Sequence, residues 1–215
     1  MKKFCFIFLF AVLLFSCQKS EFEFSCDPVI DAFVSENREE LSQITVEELV
    51  SYEPELQKAV FNSWDYRKKR NAWIDKFSTV LANEEFSGIE ATHIRKLIDH
   101  IGTDYFLDGN IHQKTESRSQ FAADWIEYAS GELGWPERFI AFLVYRLYTN
   151  QSQFEAELSA LKSLNTAVAT NSEGSCDCNV SADFCGHIRC TSGACSTNSS
   201  NCGWLWSMPC DGNCY

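Results

Sequence analysis

CDCNVSADFCGHIRCTSGACSTNSSNCGWLWSMPCDGNCY, residues 176–215, is the stretch on which the architecture turns. It carries eight of the chain's eleven cysteines: Cys176, Cys178, Cys185, Cys190, Cys195, Cys202, Cys210 and Cys214. Its large apolar residues are few (Val180, Phe184, Ile188, Trp204, Leu205, Trp206 and Met208), so a core of its own cannot hold it, and staples or a metal must. An even set of cysteines reads as disulfides in an oxidising compartment and as ligands in a reducing one. The compartment is decided at the other end of the chain.

Lys2 and Lys3 precede an unbroken apolar run, Phe4 to Phe15. That run is too short to span a bilayer and has the form of a signal peptide, residues 1–16. Leu14-Phe15-Ser16-Cys17 resembles a bacterial lipobox, which makes Cys17 the lipidated first residue of the mature protein and discards Cys5. The competing reading is ordinary cleavage with a structural Cys17. Residues 17–26 are then a lipidated N-terminus and short tether, whose Gln18-Lys19-Ser20-Glu21-Phe22-Glu23 is similar to the surface-export signals of some lipoproteins. Lipid anchoring to the outer membrane follows, with the chain periplasmic or surface-exposed.

In that setting the eight tail cysteines read as four disulfides, each worth about 2–4 kcal/mol. The sequence does not choose among the pairings, beyond making a Cys176–Cys178 bridge uncomfortable. Zinc is disfavoured, because His187 is the only nearby histidine and the tail contains no CxxC pair. Cys26 is left over and reads as a buried thiol in the first helix, a free or intermolecular thiol being the alternatives.

Residues 27–164 read as an irregular all-α domain, so the fold class is mainly α followed by a small disulfide-rich module. Apolar residues recur at three- and four-residue spacing and strand-like alternation is absent. Asp27-Pro28 caps and opens a helix to about Glu40. Thr45 to Glu48 and Ser87 to Glu90 have the form of capping boxes. Pro54 opens a helix, and Ser63 is the expected cap of a longer one reaching Asn83 with the stripe Trp73, Phe77, Val80 and Leu81. The helix after Ser87 carries Ile94, Leu97, Ile98 and Ile101 and ends near Gly102. A looser stretch, 103–116, precedes a helix from Ser117 to Gly134. Trp135-Pro136 introduces the next, whose Phe139–Tyr148 segment is apolar almost all round and so belongs at the centre of the bundle. Gln153 to Leu164 is a last amphipathic helix. Residues 165–175 have the small, polar composition of a linker, which makes two folding units, 27–164 and 176–215.

The formal charge is −12, and two units more negative once Lys2 and Lys3 are removed. Nucleic acid is therefore not an expected partner, and lipid rather than charge would hold the chain at a membrane. Glu90-Ala91-Thr92-His93 is the local form of a di-metal carboxylate motif, but a second copy is missing, and neither His93 with His100 nor His112 defines a metal geometry. Arg67-Lys68-Lys69-Arg70 points in all directions on a helix and reads as a solvated run paired with the protein's own carboxylates. No catalytic signature is present and no metal or cofactor is implied, so an enzyme is not expected. Trp204, Leu205, Trp206 and Met208 form the candidate contact surface, the alternative being that both tryptophans pack over the disulfides.

Ser175-Cys176-Asp177-Cys178, Ser181 to Cys185, Thr191-Ser192-Gly193-Ala194-Cys195, Cys202-Gly203-Trp204 and the closing Cys210-Asp211-Gly212-Asn213 together resemble the bacteriocin fulvocin C. The whole chain, with its signal peptide, helical region and tail, resembles the fulvocin C-related proteins. The resemblance implies a four-disulfide extracellular peptide of bacteriocin type, acting on an unidentified protein or cell-surface target. Two expectations follow. Either cleavage in 165–175 releases the tail as an antagonistic peptide, or the molecule stays whole and uses the tail as a binding module on a helical stalk.

Overall fold

The computed structural model describes residues 20–83, 86–107, 111–147, 155, 177–181, 190–193, 195–197 and 200–214. The fold is mainly helical, with disulfides in the C-terminal region. The described helices are α1 (Pro28–Glu36), α2 (Arg38–Leu41), α3 (Val46–Val50), α4 (Pro54–Ser63), α5 (Tyr66–Asn83), α6 (Gly88–His100), α7 (Ile111–Gly131) and α8 (Glu137–Val144). Short strands flank them: β1 (Ser20–Phe22) before, and β2 (Asp177–Cys178), β3 (Cys190–Ser192), β4 (Cys195–Thr197), β5 (Ser200–Cys202), β6 (Met208–Pro209) and β7 (Gly212–Cys214) after.

Local chemistry accounts for most helix starts. Asp27 Oδ1 accepts from the Val29 and Ile30 amides at 2.7 and 3.3 Å, with Pro28 in the first turn of α1. Both capping boxes form: Thr45 with Glu48 at α3, Ser87 with Glu90 at α6. Three boundaries differ from expectation. α1 stops at Glu36 rather than Glu40, because Asn37 leaves helical geometry and its side-chain amide donates to the Phe33 carbonyl. Ser63 closes α4, its hydroxyl donating to the Val60 carbonyl, and Asp65 starts α5 instead by accepting from the Arg67 and Lys68 amides. α7 begins at Ile111, not Ser117; its first turns lack an apolar stripe, so periodicity could not flag them. The helix expected over 153–164 and the linker over 165–175 lie outside the described residues, Glu155 excepted.

The apolar stripes meet in one core. Trp73, Phe77 and Val80 of α5, Ile94 and Leu97 of α6, Trp125 and Ala129 of α7 and Phe139 to Val144 of α8 are all buried, as expected for a helix without a polar face. Lys76 is buried as well, its ammonium donating to the Phe142 and Arg146 carbonyls at the end of α8 and lying over the Trp73 and Phe142 rings. A cation there meets the carbonyl end of a helix, where its charge is favourable.

The tail is part of this core. Trp204, Leu205, Trp206 and Met208 belong to the same apolar cluster as Phe61, Trp73, Trp125 and Phe142. Trp206 meets Phe61 edge-on at 5.2 Å and Trp73 at 5.9 Å, and its indole N–H donates to the Tyr145 carbonyl at 3.0 Å. Trp204 packs on Trp125 at 5.6 Å and Phe121 at 6.2 Å. These tail residues and the helices thus share one apolar cluster. With so few apolar residues of its own, the tail completes its burial against the helices, and they complete theirs against it.

The N-terminal tether joins the same arrangement. β1 runs parallel to β4, Ser20 opposite Cys195 and Phe22 opposite Thr197. Phe24 is buried, and its carbonyl accepts from the Asn201 side chain. The remaining strands form an antiparallel β2-β7-β3 sheet and a bulged β5-β6 pair.

Candidate functional site

The candidate site is the seam where the stapled tail closes on the helices. Two described bridges build the tail: Cys178–Cys190, with Cα atoms 6.0 Å apart, and Cys202–Cys210, 5.2 Å apart. Gly212 lies between their strands, where a Cβ would come within 2.6 Å of the Thr191 carbonyl and 2.7 Å of Cys190 Sγ, so no side chain fits. Cys195 and Cys214 sit in β4 and β7, but their side chains, and Cys176, Cys185 and Cys17 altogether, lie outside the described residues. Cys26 is not the buried thiol in a helix that the sequence suggests: it precedes the cap of α1, is half-buried, and is disulfide-bonded. These bridges are those of an oxidising extracellular or envelope environment. Among the described residues no helix is long and apolar enough to cross a membrane.

The loop inside the Cys202–Cys210 bridge aims both tryptophans inward. Gly203, Leu205 and Trp206 have φ of 65°, 52° and 51°. Left-handed geometry at a non-glycine residue costs about 1–3 kcal/mol and persists only where the surroundings enforce it. Gly203 is required as such, since a Cβ there would meet Met208 Sδ at 2.8 Å. The reversal sends Trp204 toward α7 and Trp206 toward α4 and α5.

Trp204, Leu205, Trp206 and Met208 are 0, 0, 3 and 3 % exposed. They are therefore not a contact surface, and neither do the tryptophans merely cover the tail's own disulfides. Both readings treat the tail as self-contained, whereas its indoles pack on rings of α4, α5 and α7. Among the described residues, the tail presents to solvent the Val180–Ser181 turn and the Thr191–Ser192 edge of β3. Asp211 Oδ1 accepts from the Val180 amide and holds the first of these.

Beneath the tail lies a polar cluster that sequence reasoning missed, its members scattered over the chain without a motif. Arg118 of α7 is buried, donates to the Tyr105 carbonyl and stacks over the Tyr105 ring at 4.1 Å. The Tyr105 hydroxyl lies 3.3 Å from Ser207 Oγ, which itself donates to the Trp204 carbonyl. Burial raises the Tyr105 phenol and lowers Arg118. Among the described residues, Nε and Nη1 of Arg118 and Nε2 of His100 are buried without a hydrogen-bond partner, while the Trp204 side chain hydrogen-bonds the Tyr105 phenol. The seam is rich in N–H groups, but with Tyr105, Arg118, Trp204 and Ser207 all buried, no solute reaches them unless the tail lifts.

His100 borders this cluster, stacked on Phe121 at 3.6 Å. Burial first, and the neighbouring Arg118 second, push its imidazole from 6.5 to about 4. The folded state thus prefers neutral His100, and the unfolded chain takes up the proton first as pH falls. This contribution to stability is complete above about pH 6.5 and is lost as pH drops toward 4. His93, also lowered chiefly by burial, acts in the same direction. Urea unfolding midpoints are expected to fall between pH 6.5 and 4, and to fall less steeply in His100→Gln.

The other candidates have structural roles. The Glu90 carboxylate accepts from the Ser87 amide at 2.8 Å and the Trp135 indole at 3.0 Å. His93 stacks on Trp125 at 4.5 Å and its Nε2 bonds the Trp125 carbonyl. Among the described residues no group of His, Cys, Asp and Glu could hold a metal ion, and the His112 side chain lies outside them. The basic run is not a solvated face. Lys68 donates to the Ser42 and Ile44 carbonyls, Lys69 to Asn62 Oδ1 and Arg70 to the Ile101 carbonyl, so three of its four cations tie loop ends to α5. No protein-family model, curated protein or solved structure matches the chain.

Proposed function

We propose that this chain is a fulvocin C-related envelope lipoprotein, anchored through Cys17, that acts outside the cell as an intact molecule. The stapled tail is its working face toward a protein or cell-surface target, in a role of bacterial antagonism. One observation supports the intact form over a released peptide: Trp204, Leu205, Trp206 and Met208 lie inside the helical core. A free tail would expose two indoles and would leave Phe61, Trp73 and Trp125 facing the vacated space. The contact surface in this reading is the solvent edge formed by Val180, Ser181, Thr191 and Ser192, with the tryptophans as its foundation.

The experiment is the intact mass, without reduction, of the protein in washed cells and in culture supernatant. A single lipidated species confined to cells is the expected result. A supernatant species with the mass of the oxidised tail would overturn the intact form and establish the helical domain as a carrier. The linker-like composition of 165–175 is the observation that favours this second reading.

A further inference from the structure

α1 carries apolar side chains on two faces. Ile30 and Val34, one turn apart, face inward: Val34 is buried and Ile30 packs against the core. Val29 and Phe33, also one turn apart, face outward at 76 and 40 % exposure, with Pro28 and Ala32 exposed beside them. Single exposed apolar residues are ordinary. Among the described residues the other large ones, Ile89, Leu107, Tyr128 and Val180, stand one to an element, and α1 is where two share a helix face. A contiguous face of this kind marks a contact.

What it contacts follows from the length of chain before it. Three residues separate Cys17 from Ser20, where β1 begins. An extended chain covers at most about 3.6 Å per residue, so a lipidated Cys17 lies within about 11 Å of β1. β1 is held in turn: it pairs with β4, Phe24 behind it is buried, and Asp31 of α1 accepts from the Phe24 and Ser25 amides at 2.7 and 3.2 Å. So short a connection keeps the folded body against the headgroups, with α1 the first helix after the anchor. The chemistry of the face agrees. The carboxylates of Asp27 and Asp31 are both engaged with backbone amides, and Glu36 is exposed only at the far end of the stripe.

We propose that the Pro28, Val29, Ala32 and Phe33 face of α1 rests in the interface of the membrane that holds the lipid, so that the protein is seated by a helix face as well as by an acyl anchor. The surface it takes is zwitterionic phospholipid, since a chain of net charge −12 is repelled by anionic headgroups. The proposal rests on the lipoprotein reading for the anchor.

The test uses the wild-type, full-length protein in phosphatidylcholine vesicles that carry a photoreactive diazirine on the acyl chain. After illumination the protein is reduced and digested with trypsin, and fragmentation of the Ser20–Arg38 peptide locates the adducts. Adducts on Val29, Ala32 or Phe33 are expected. Adducts confined to residues 20–23, or to the peptides that hold Ile89, Tyr128 or Val180, would overturn the proposal, as would their absence. So would protection of α1 from a water-soluble carbene reagent that grows with protein concentration when no lipid is present, because a second copy would then cover the face. The mass of the Cys17–Lys19 peptide reports lipidation separately. A lipidated Cys17 with an unlabelled α1 fails this proposal alone. An unlipidated Cys17 with adducts on α1 fails the lipoprotein reading alone, and an unlipidated Cys17 with an unlabelled α1 fails both.

Discussion

Replacing Trp206 with alanine is expected to destabilise the helical body by about 3–5 kcal/mol, the range for deleting a large aromatic from a packed core. The indole fills space between α4 and α5, against Phe61 and Trp73, and satisfies the Tyr145 carbonyl just past α8. Alanine leaves a cavity lined by rings from two helices and a carbonyl without its donor. The measurement is urea unfolding followed by far-UV circular dichroism, which reports helices rather than tail. Trp204→Ala should act similarly through Trp125 and Phe121. If the tail were a display module on a self-sufficient stalk, the helical transition would not move in either variant. An unchanged midpoint in both would therefore sink the shared core.

This expectation inverts the natural reading of the sequence, for a physical reason. A Trp-Leu-Trp-Ser-Met segment among eight cysteines carries no label of what covers it, because its partners Phe61, Trp73 and Trp125 lie far away in the chain. Local signals were legible. The Asp27-Pro28 start and the boxes at Thr45 and Ser87 depend on side chains reaching backbone amides two or three residues on, and all three form. The all-apolar Phe139 to Val144 segment was legible too, since a helix without a polar face has to be buried.

What failed depended on choices between near neighbours or on tertiary contacts. Ser63 and Asp65 are both competent caps two residues apart, and the carboxylate takes the amides while the hydroxyl closes the preceding helix. The cations at Lys68, Lys69 and Arg70 were expected to meet carboxylates in so acidic a protein. Lys68 does feel Asp65 and Glu48, but hydrogen bonds of all three cations go to carbonyl and amide oxygens near the ends of α2, α4 and α6, which converge on α5. The Arg118–Tyr105–Ser207 cluster joins a helix, a loop and the tail, and no spacing rule connects such positions. Cys26 was misread as well, since nothing in the residues around it marks it as the half of a disulfide that it is.

Removing the Cys202–Cys210 bridge, as Cys202→Ser with Cys210→Ser, is expected to cost about 2–4 kcal/mol and to be felt by the helices. The bridge closes the loop that holds Leu205 and Trp206 in left-handed geometry. Without it, the unfolded chain recovers loop entropy, and the native turn keeps its backbone strain with less to enforce it. Burial of the indoles opposes release, so the variant is expected to fold, but with Trp204 and Trp206 held less firmly. Far-UV circular dichroism and tryptophan fluorescence should report one coincident transition in urea for both wild type and variant, the variant's at lower denaturant. A fluorescence transition that shifts while the helical one stays in place would mean that tail and helices unfold separately, and the stapled segment would then be an attachment to the core rather than a piece of it.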